Sequence, residues 1–411
     1  MSRVILLSKM QSSIKSVKHE RLEQLDALRA IAVLLVLYQH WMPSKFLPNV
    51  ALGGAGVTLF FVLSGYLITG ILLSAGDKIG NGSRTVVIKS FVTRRALRIF
   101  PIYYLFIGAS WLLSVGAFPA STKWHMLFLT NFEVYHGQAF PAGGGHLWTL
   151  SIEEQFYLLW PWLVLYVPRG YLLKVLGGIL AVAILVRFYA HPVPLVEENY
   201  AFVLPLPAFD GLVVGAILAL ISADKRKLER FLFFCKYVAL PVWLVTCVLQ
   251  EREPVFAFTV QVSLPFVFAM VIASAANGFG GLTGQILSSR PLISIGTISY
   301  GLYLYHACVP AILAYAGGNG WLPKAILETS PLLLFITYLS ITLLMGYASW
   351  FIIERPINAL KVFFPYVRKT TERPALREVA ARQRNVRNFQ PAPPGPVSAR
   401  ARAATRRASS A

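Results

Sequence analysis

The chain has 411 residues, 56% of them hydrophobic and 14% charged, with a mean hydropathy of +0.60. Such a composition exceeds what a soluble core needs and leaves too little charge to solvate the surface, which excludes an ordinary soluble domain and points to a polytopic membrane protein. The net charge of +20 does not indicate nucleic acid, because Lys and Arg collect in alternate connections between apolar stretches, the pattern of cytoplasmic loops.

Taken in order, Met1–Glu20 is a basic, polar segment without the apolar run of a cleavable signal, so the helix after it is expected to serve as the insertion signal. Residues 21–360 are expected to form one transmembrane domain. Its apolar stretches are Ala27–Met42, Leu52–Leu73, Ile99–Phe118, Leu147–Val167, Leu172–Ala190, Phe202–Ile221, Phe231–Leu249, Val255–Ala276, Ile295–Ala316 and Leu332–Ile353. Each approaches the roughly 20 residues a crossing helix requires, which predicts an all-α bundle of about ten transmembrane helices. The basic clusters at Arg3–Arg21, Lys78–Arg95 and Lys225–Arg230, with the Arg-rich end, fall on one side, so both termini are expected in the cytoplasm. Cys235, Cys247 and Cys308 lie in or beside predicted helices without CxxC spacing and read as small packing residues. After Arg355 comes a short amphipathic piece, INALKVFFPYV. Residues 361–411 are then expected to be a disordered basic tail that either touches anionic lipid or simply enforces topology.

The chemistry begins on the first stretch, LDALRAIAVLLVLYQHW, where ionisable groups inside a membrane helix suggest function. Arg29 and His40 lie about three turns apart, on one face and roughly 16 Å apart along the axis. His40 falls towards the noncytoplasmic end, where a neutral imidazole suits a general base for acyl transfer to an alcohol; a histidine hydrogen-bonded between helices is the plainer reading. Arg29 keeps its charge and needs an anion, which Asp26, one turn earlier, could supply.

In RRALRIFPIYY, Arg95 and Arg98 share a face and could fork onto the phosphates of an anionic nucleotide, whereas Arg94 is read as a topogenic charge. In HLWTLSIEEQFYLLWP, Glu153 and Glu154 stand near the start of the fourth helix, at about the depth expected of His40. Ser151 with Glu154 fits a capping box, which leaves Glu153 as the carboxylate to orient an imidazole, although either could do so. Asp210, His306 in SYGLYLYH, and Glu354 before Arg355 and Pro356 are further inward-pointing candidates along a substrate path. Gly53, Gly54 and Gly56, with Ser64 and Gly65, would let the second helix pack closely.

Together these blocks resemble the membrane acyltransferases called acyltransferase type 3, which include bacterial polysaccharide and lipopolysaccharide O-acetyltransferases. The matching stretches run from Arg21 to Pro356: the Arg-x10-His spacing of Arg29 and His40, GGAGVTLFFVLSGYLIT, the Arg-x-x-Arg pair of Arg95 and Arg98, HLWTLSIEEQFYLLWP, ISYGLYLYH and IERP. The resemblance implies an enzyme of the bacterial inner membrane that moves an acyl group, most often acetyl, from acetyl-CoA to a carbohydrate or glycoconjugate hydroxyl. Acyl-CoA and membrane lipid would be its partners, with separate glycan-assembly proteins possible; neither metal nor nucleic acid is expected. Many relatives append a periplasmic esterase-like domain, whereas this chain runs into a basic tail. His40 would then act directly on the acceptor, or carry the acyl group to a separate protein. The competing class is a transporter or flippase of lipid-linked sugars, which also uses intramembrane charges. Sequence leaves open the acceptor and the acyl group.

Overall fold

The computed structural model describes residues 23–42, 51–79, 83–114, 118–190, 200–250, 252–319 and 329–366. The expected N-terminal segment 1–20 and most of the tail, from 367 on, lie outside the described residues. Those described are all-helical, with no strand among them.

The chain forms α1 (23–41), α2 (Leu52–Ile79), α3 (Arg84–Leu112), α4 (Phe118–Met126), α5 (Thr130–Gly137), α6 (Trp148–Tyr166), α7 (Arg169–Ala190) and α8 (Pro205–Ile221). There follow α9 (Lys225–Phe234), a π-helical turn and α10 (Leu240–Leu249), then α11 (Pro254–Asn277), α12 (Gly281–Leu287), α13 (Arg290–Thr297), α14 (Ser299–Tyr305), α15 (Cys308–Gly318) and α16 (Pro331–Ser349). A second π turn, Trp350–Glu354, leads to α17 (Arg355–Ala359) and a last 3-10 turn, Leu360–Phe363.

Five helical runs among the described residues are long and apolar enough to cross a membrane: Leu52–Ile79, Arg169–Tyr189, Lys225–Leu249, Val255–Asn277 and Pro331–Phe363. Two shorter apolar helices, Pro205–Ile221 and Cys308–Gly318, accompany them. The other expected spans fall on α1, α3 and α6, which carry the charges of the site, and on a stretch broken into α13, α14 and α15. The break at Ile298 and at His306–Ala307 turns the polar end of SYGLYLYH into the bundle.

Glycine brings the central helices together. A Cβ on Gly65 of α2 would lie 1.9 Å from the Leu212 carbonyl oxygen of α8, and one on Gly215 of α8 would lie 2.0 Å from the Val62 oxygen of α2. Neither position admits a larger residue without separating the pair, which is the small-residue logic of membrane helix packing. Gly56, where a Cβ would meet the Ala32 oxygen at 2.4 Å, does the same for α2 against α1. α1, α2, α6 and α8 thereby become a tight inner group, its core including Val33, Leu37, Leu63, Ile68, Phe156 and Leu212. At α9 the entry is capped by Asp224, whose side chain accepts from the Lys227 amide at 3.1 Å, and that bond holds the Asp224 carboxyl below its usual range.

Candidate active site

Two chambers open among these helices. The smaller, about 100 Å³, is lined by Arg29, Arg95, Arg98, Ser64, Glu153 and Tyr157, among others. We call it the arginine chamber. The larger, about 1220 Å³, is lined by His40, His146, Gln39, Arg187, Asp210 and aromatic side chains that include Phe140, Trp148, Tyr200, Phe202 and Trp243. Val57, Phe61 and Tyr303 belong to the walls of both. Of the two α1 residues that make the Arg-x10-His spacing, Arg29 lines one chamber and His40 the other.

In the arginine chamber, Arg29 Nη1 donates back to Asp26 Oδ1 at 2.6 Å, so the local pair anticipated for it exists alongside its place on the chamber wall. The Arg95 guanidinium lies over the Tyr157 ring at 5.0 Å and the Phe91 ring at 5.8 Å, cation–π contacts that hold it pointing inward. Arg98 has Arg29, Arg95 and Glu354 as charged neighbours. Glu354 is 4% exposed and accepts from Ser349 Oγ at 3.2 Å. The π turn Trp350–Glu354 rotates it inward, as such turns do at functional sites.

The histidine chamber is built differently. His40 Nδ1 sits 2.9 Å from the Val36 carbonyl oxygen, an acceptor only, so Nδ1 carries the proton and Nε2 is left as the basic nitrogen. The His40 ring lies 4.8 Å from that of His306, which lies 4.8 Å from that of His146. His306 is fully buried, its Nδ1 2.6 Å from the Tyr303 oxygen. Trp41 Nε1 donates to the His306 oxygen at 3.3 Å, which ties α1 to the break between α14 and α15. Tyr303, on the shared wall, donates to the His146 oxygen at 3.0 Å and pairs with Thr149 Oγ1 at 2.6 Å. Asp210 forms an ion pair with Arg187, Oδ2 to Nε 2.8 Å.

Two sequence expectations are corrected here. No glutamate of SIEEQ steadies His40: Glu153 lines the arginine chamber, where the Ser64 and Tyr157 hydroxyls, 2.6 Å apart, face its carboxylate, while His40 is held by a backbone carbonyl. Nor do Ser151 and Glu154 form a capping box, because the helix starts earlier, at Trp148 after the 3-10 turn Gly145–Leu147, and Ser151 Oγ bonds back to the Leu147 oxygen at 3.1 Å. Glu154 lines neither chamber and has Glu153 and Arg95 as its charged neighbours. His146 and Arg187 went unread, although Arg187 inside the apolar stretch Leu172–Ala190 carries the same signal as Arg29. The three cysteines are free; Cys235 and Cys308 are buried, and Cys247 lines the histidine chamber.

The model of the acyltransferase domain family matches residues 22–351, which takes in the lining residues of both chambers but not Glu354. The chain belongs to this acyltransferase family. It is 31% identical over 332 residues to the putative peptidoglycan O-acetyltransferase YrhL of Bacillus subtilis, covering 71% of this chain and 49% of that protein. To the peptidoglycan O-acetyltransferase OatA of Listeria monocytogenes it is 28% identical over 369 residues, 80% of this chain and 54% of that one. A putative O-acetyltransferase of Staphylococcus aureus, SACOL0978, is 25% identical over 80% of this chain and 56% of its own length. The chain thus spans about half the length of the curated relatives it matches. No solved structure matches it.

Proposed function

We propose that this acyltransferase-family chain is a membrane O-acyltransferase that takes an acyl group, in the simplest case acetyl, from cytosolic acyl-CoA to a hydroxyl of a carbohydrate. The observation that carries this reading is the single helix α1 presenting Arg29 to a cation-lined chamber and His40 to a wide aromatic one, with Val57, Phe61 and Tyr303 as common walls. Family membership supports the acyl transfer. The peptidoglycan O-acetyltransferases among the relatives support a glycan acceptor.

In this mechanism Arg95 and Arg98 hold the donor's phosphates, charge-assisted contacts for which paired guanidiniums are suited. The thioester arm passes Tyr303 and Phe61 towards His40. An acceptor lies against the aromatic side chains of the wide chamber, a surface fit for sugar rings. His40 Nε2 takes the hydroxyl proton as that oxygen attacks the thioester carbonyl. The C–S bond breaks and the leaving thiolate recovers the proton from the imidazolium, so the histidine ends as it began. Arg29 and the Glu153 cluster fix the electrostatics of the arm's path, and the Arg187–Asp210 pair shapes the acceptor wall. In the membrane the apolar stretches cross about ten times, with both termini and the arginine chamber's mouth on the cytoplasmic side of a bacterial inner membrane.

The test is transfer from acetyl-CoA to a soluble glycan by the purified chain in nanodiscs. His40→Ala should lower transfer by about 10² to 10⁴, the worth of a general base, while donor affinity stays unchanged. Wild-type turnover in that variant would refute the assignment, and a transporter would give no transfer at all.

A further inference from the structure

The arginine chamber, at about 100 Å³, is smaller than the roughly 300 Å³ at which pockets for whole small ligands begin. It is too small to enclose a nucleotide. The nucleotide head of the donor must therefore sit outside. Close by the arginines that line this chamber the chain places a segment that follows the family match, which ends at residue 351.

That segment is fastened to α3. Ser90 Oγ donates to the Pro365 oxygen at 2.9 Å, and Arg94 Nη1 donates to the carbonyl oxygens of Lys361 at 2.6 Å and Phe364 at 3.3 Å. The Arg94 guanidinium also lies 4.9 Å from the centre of the Tyr366 ring. Arg94, read from sequence as a mere topogenic charge, is thus the clasp of this strap. The clasp brings the half-buried Lys361 ammonium among Arg98, Arg95 and Arg94, while its own hydrogen-bond partner is the neutral Asn358 side chain. On the acidic side stand Asp26, already paired with Arg29, Glu354, shared with Ser349 and Arg98, and Glu153 and Glu154, which both face Arg95 and leave Lys361 without an acid of its own. Like charges gathered at a half-buried site repel one another, and a multivalent anion between them removes that cost.

We infer that Lys361 is a phosphate-binding residue of the donor site, held in position by the Arg94 clasp. This rests on the donor reading proposed above. In acyl-CoA the arm is joined to the diphosphate, which would stay at the chamber mouth with Arg95 and Arg98. The separate phosphomonoester on the ribose then reaches outward to Lys361, a point charge suited to a dianion.

The experiment measures the affinity of the full chain in nanodiscs for acetyl-CoA and for its 3′-dephospho analogue. Wild type should prefer acetyl-CoA, and Lys361→Gln should weaken acetyl-CoA binding by about 10-fold or more, the usual worth of a charged hydrogen bond. Affinity for the dephospho analogue should not change, and Lys361→Arg should restore the preference. If Lys361→Gln weakens both donors equally, or neither, Lys361 binds no phosphomonoester and the inference fails while the donor reading stands. If wild type binds neither donor, both fall together.

Discussion

The Arg187–Asp210 pair offers a quantitative test of how the wall of the histidine chamber is held. The two side chains are 13% and 7% exposed and meet at 2.8 Å. At that separation and an effective dielectric of about 20, the Coulomb attraction comes to roughly 6 kcal/mol, a ceiling from which desolvation of both ions is subtracted. Arg187 also donates to Gln261 Oε1 at 3.0 Å and to the Pro207 oxygen, and Asp210 otherwise accepts from the Gly211 amide at 2.6 Å. Arg187→Ala therefore leaves a buried carboxylate with one backbone donor, which should cost about 3 to 5 kcal/mol. Replacing both partners by apolar residues of similar size, Arg187→Met with Asp210→Leu, should recover most of the loss, because no unpaired charge remains. Cys235 and Cys308 are free and buried, so once the half-buried Cys247 is replaced by Ser, a thiol-reactive dye in detergent reports unfolding. At roughly 2 °C per kcal/mol the single variant should melt about 6 to 10 °C below wild type. A single variant within 1 °C of wild type, or a double variant as unstable as the single, would show that Arg187 is not needed to neutralise a buried Asp210.

Three further outcomes follow from the geometry. Arg95→Ala or Arg98→Ala should raise the donor KM about 10-fold or more while saturated turnover changes less, and an unchanged donor affinity in both would return the pair to topology alone. Gly215→Leu should separate α2 from α8, since even a Cβ would stand 2.0 Å from the Val62 oxygen; a loss of at least about 2 kcal/mol in the dye melt, with lost transfer, is expected. Burial pushes the His125 imidazole, in the connection after α3, down to about 4. Since its unfolded value is near 6.5, the unfolded chain binds the extra proton between these limits. Stability should therefore fall as pH drops from about 6.5 to 4, and His125→Phe should flatten that part of the curve.

Much of the architecture was legible because hydropathy over a crossing length is a strong signal. The stretches at Leu52–Leu73, Leu172–Ala190 and Val255–Ala276 correspond to α2, α7 and α11. The stretch Ile295–Ala316 reads as one span yet folds as three pieces, and at the second break the freed His306 carbonyl accepts from Trp41 of α1, a tertiary contact that hydropathy does not record. Arg29, His40, Arg95 and Arg98 could be placed by helical phase within their own segments. The pairing of His40 with a glutamate failed because it compared depths across two helices, and an error of one turn moves a side chain about 5 Å. His146 sits in a 3-10 turn with no periodicity to mark it. Lys361 became visible only once Arg94 was seen to grip the carbonyl beside it.

The proposed meeting of donor and acceptor at His40, each from its own chamber, makes transfer sided. Vesicles of known orientation, given acetyl-CoA and an impermeant glycan acceptor on chosen faces, test it most directly. Transfer should occur only when acetyl-CoA is on the face bearing the basic tail and the acceptor on the other. Efficient transfer with both confined to the tail-bearing face would contradict it.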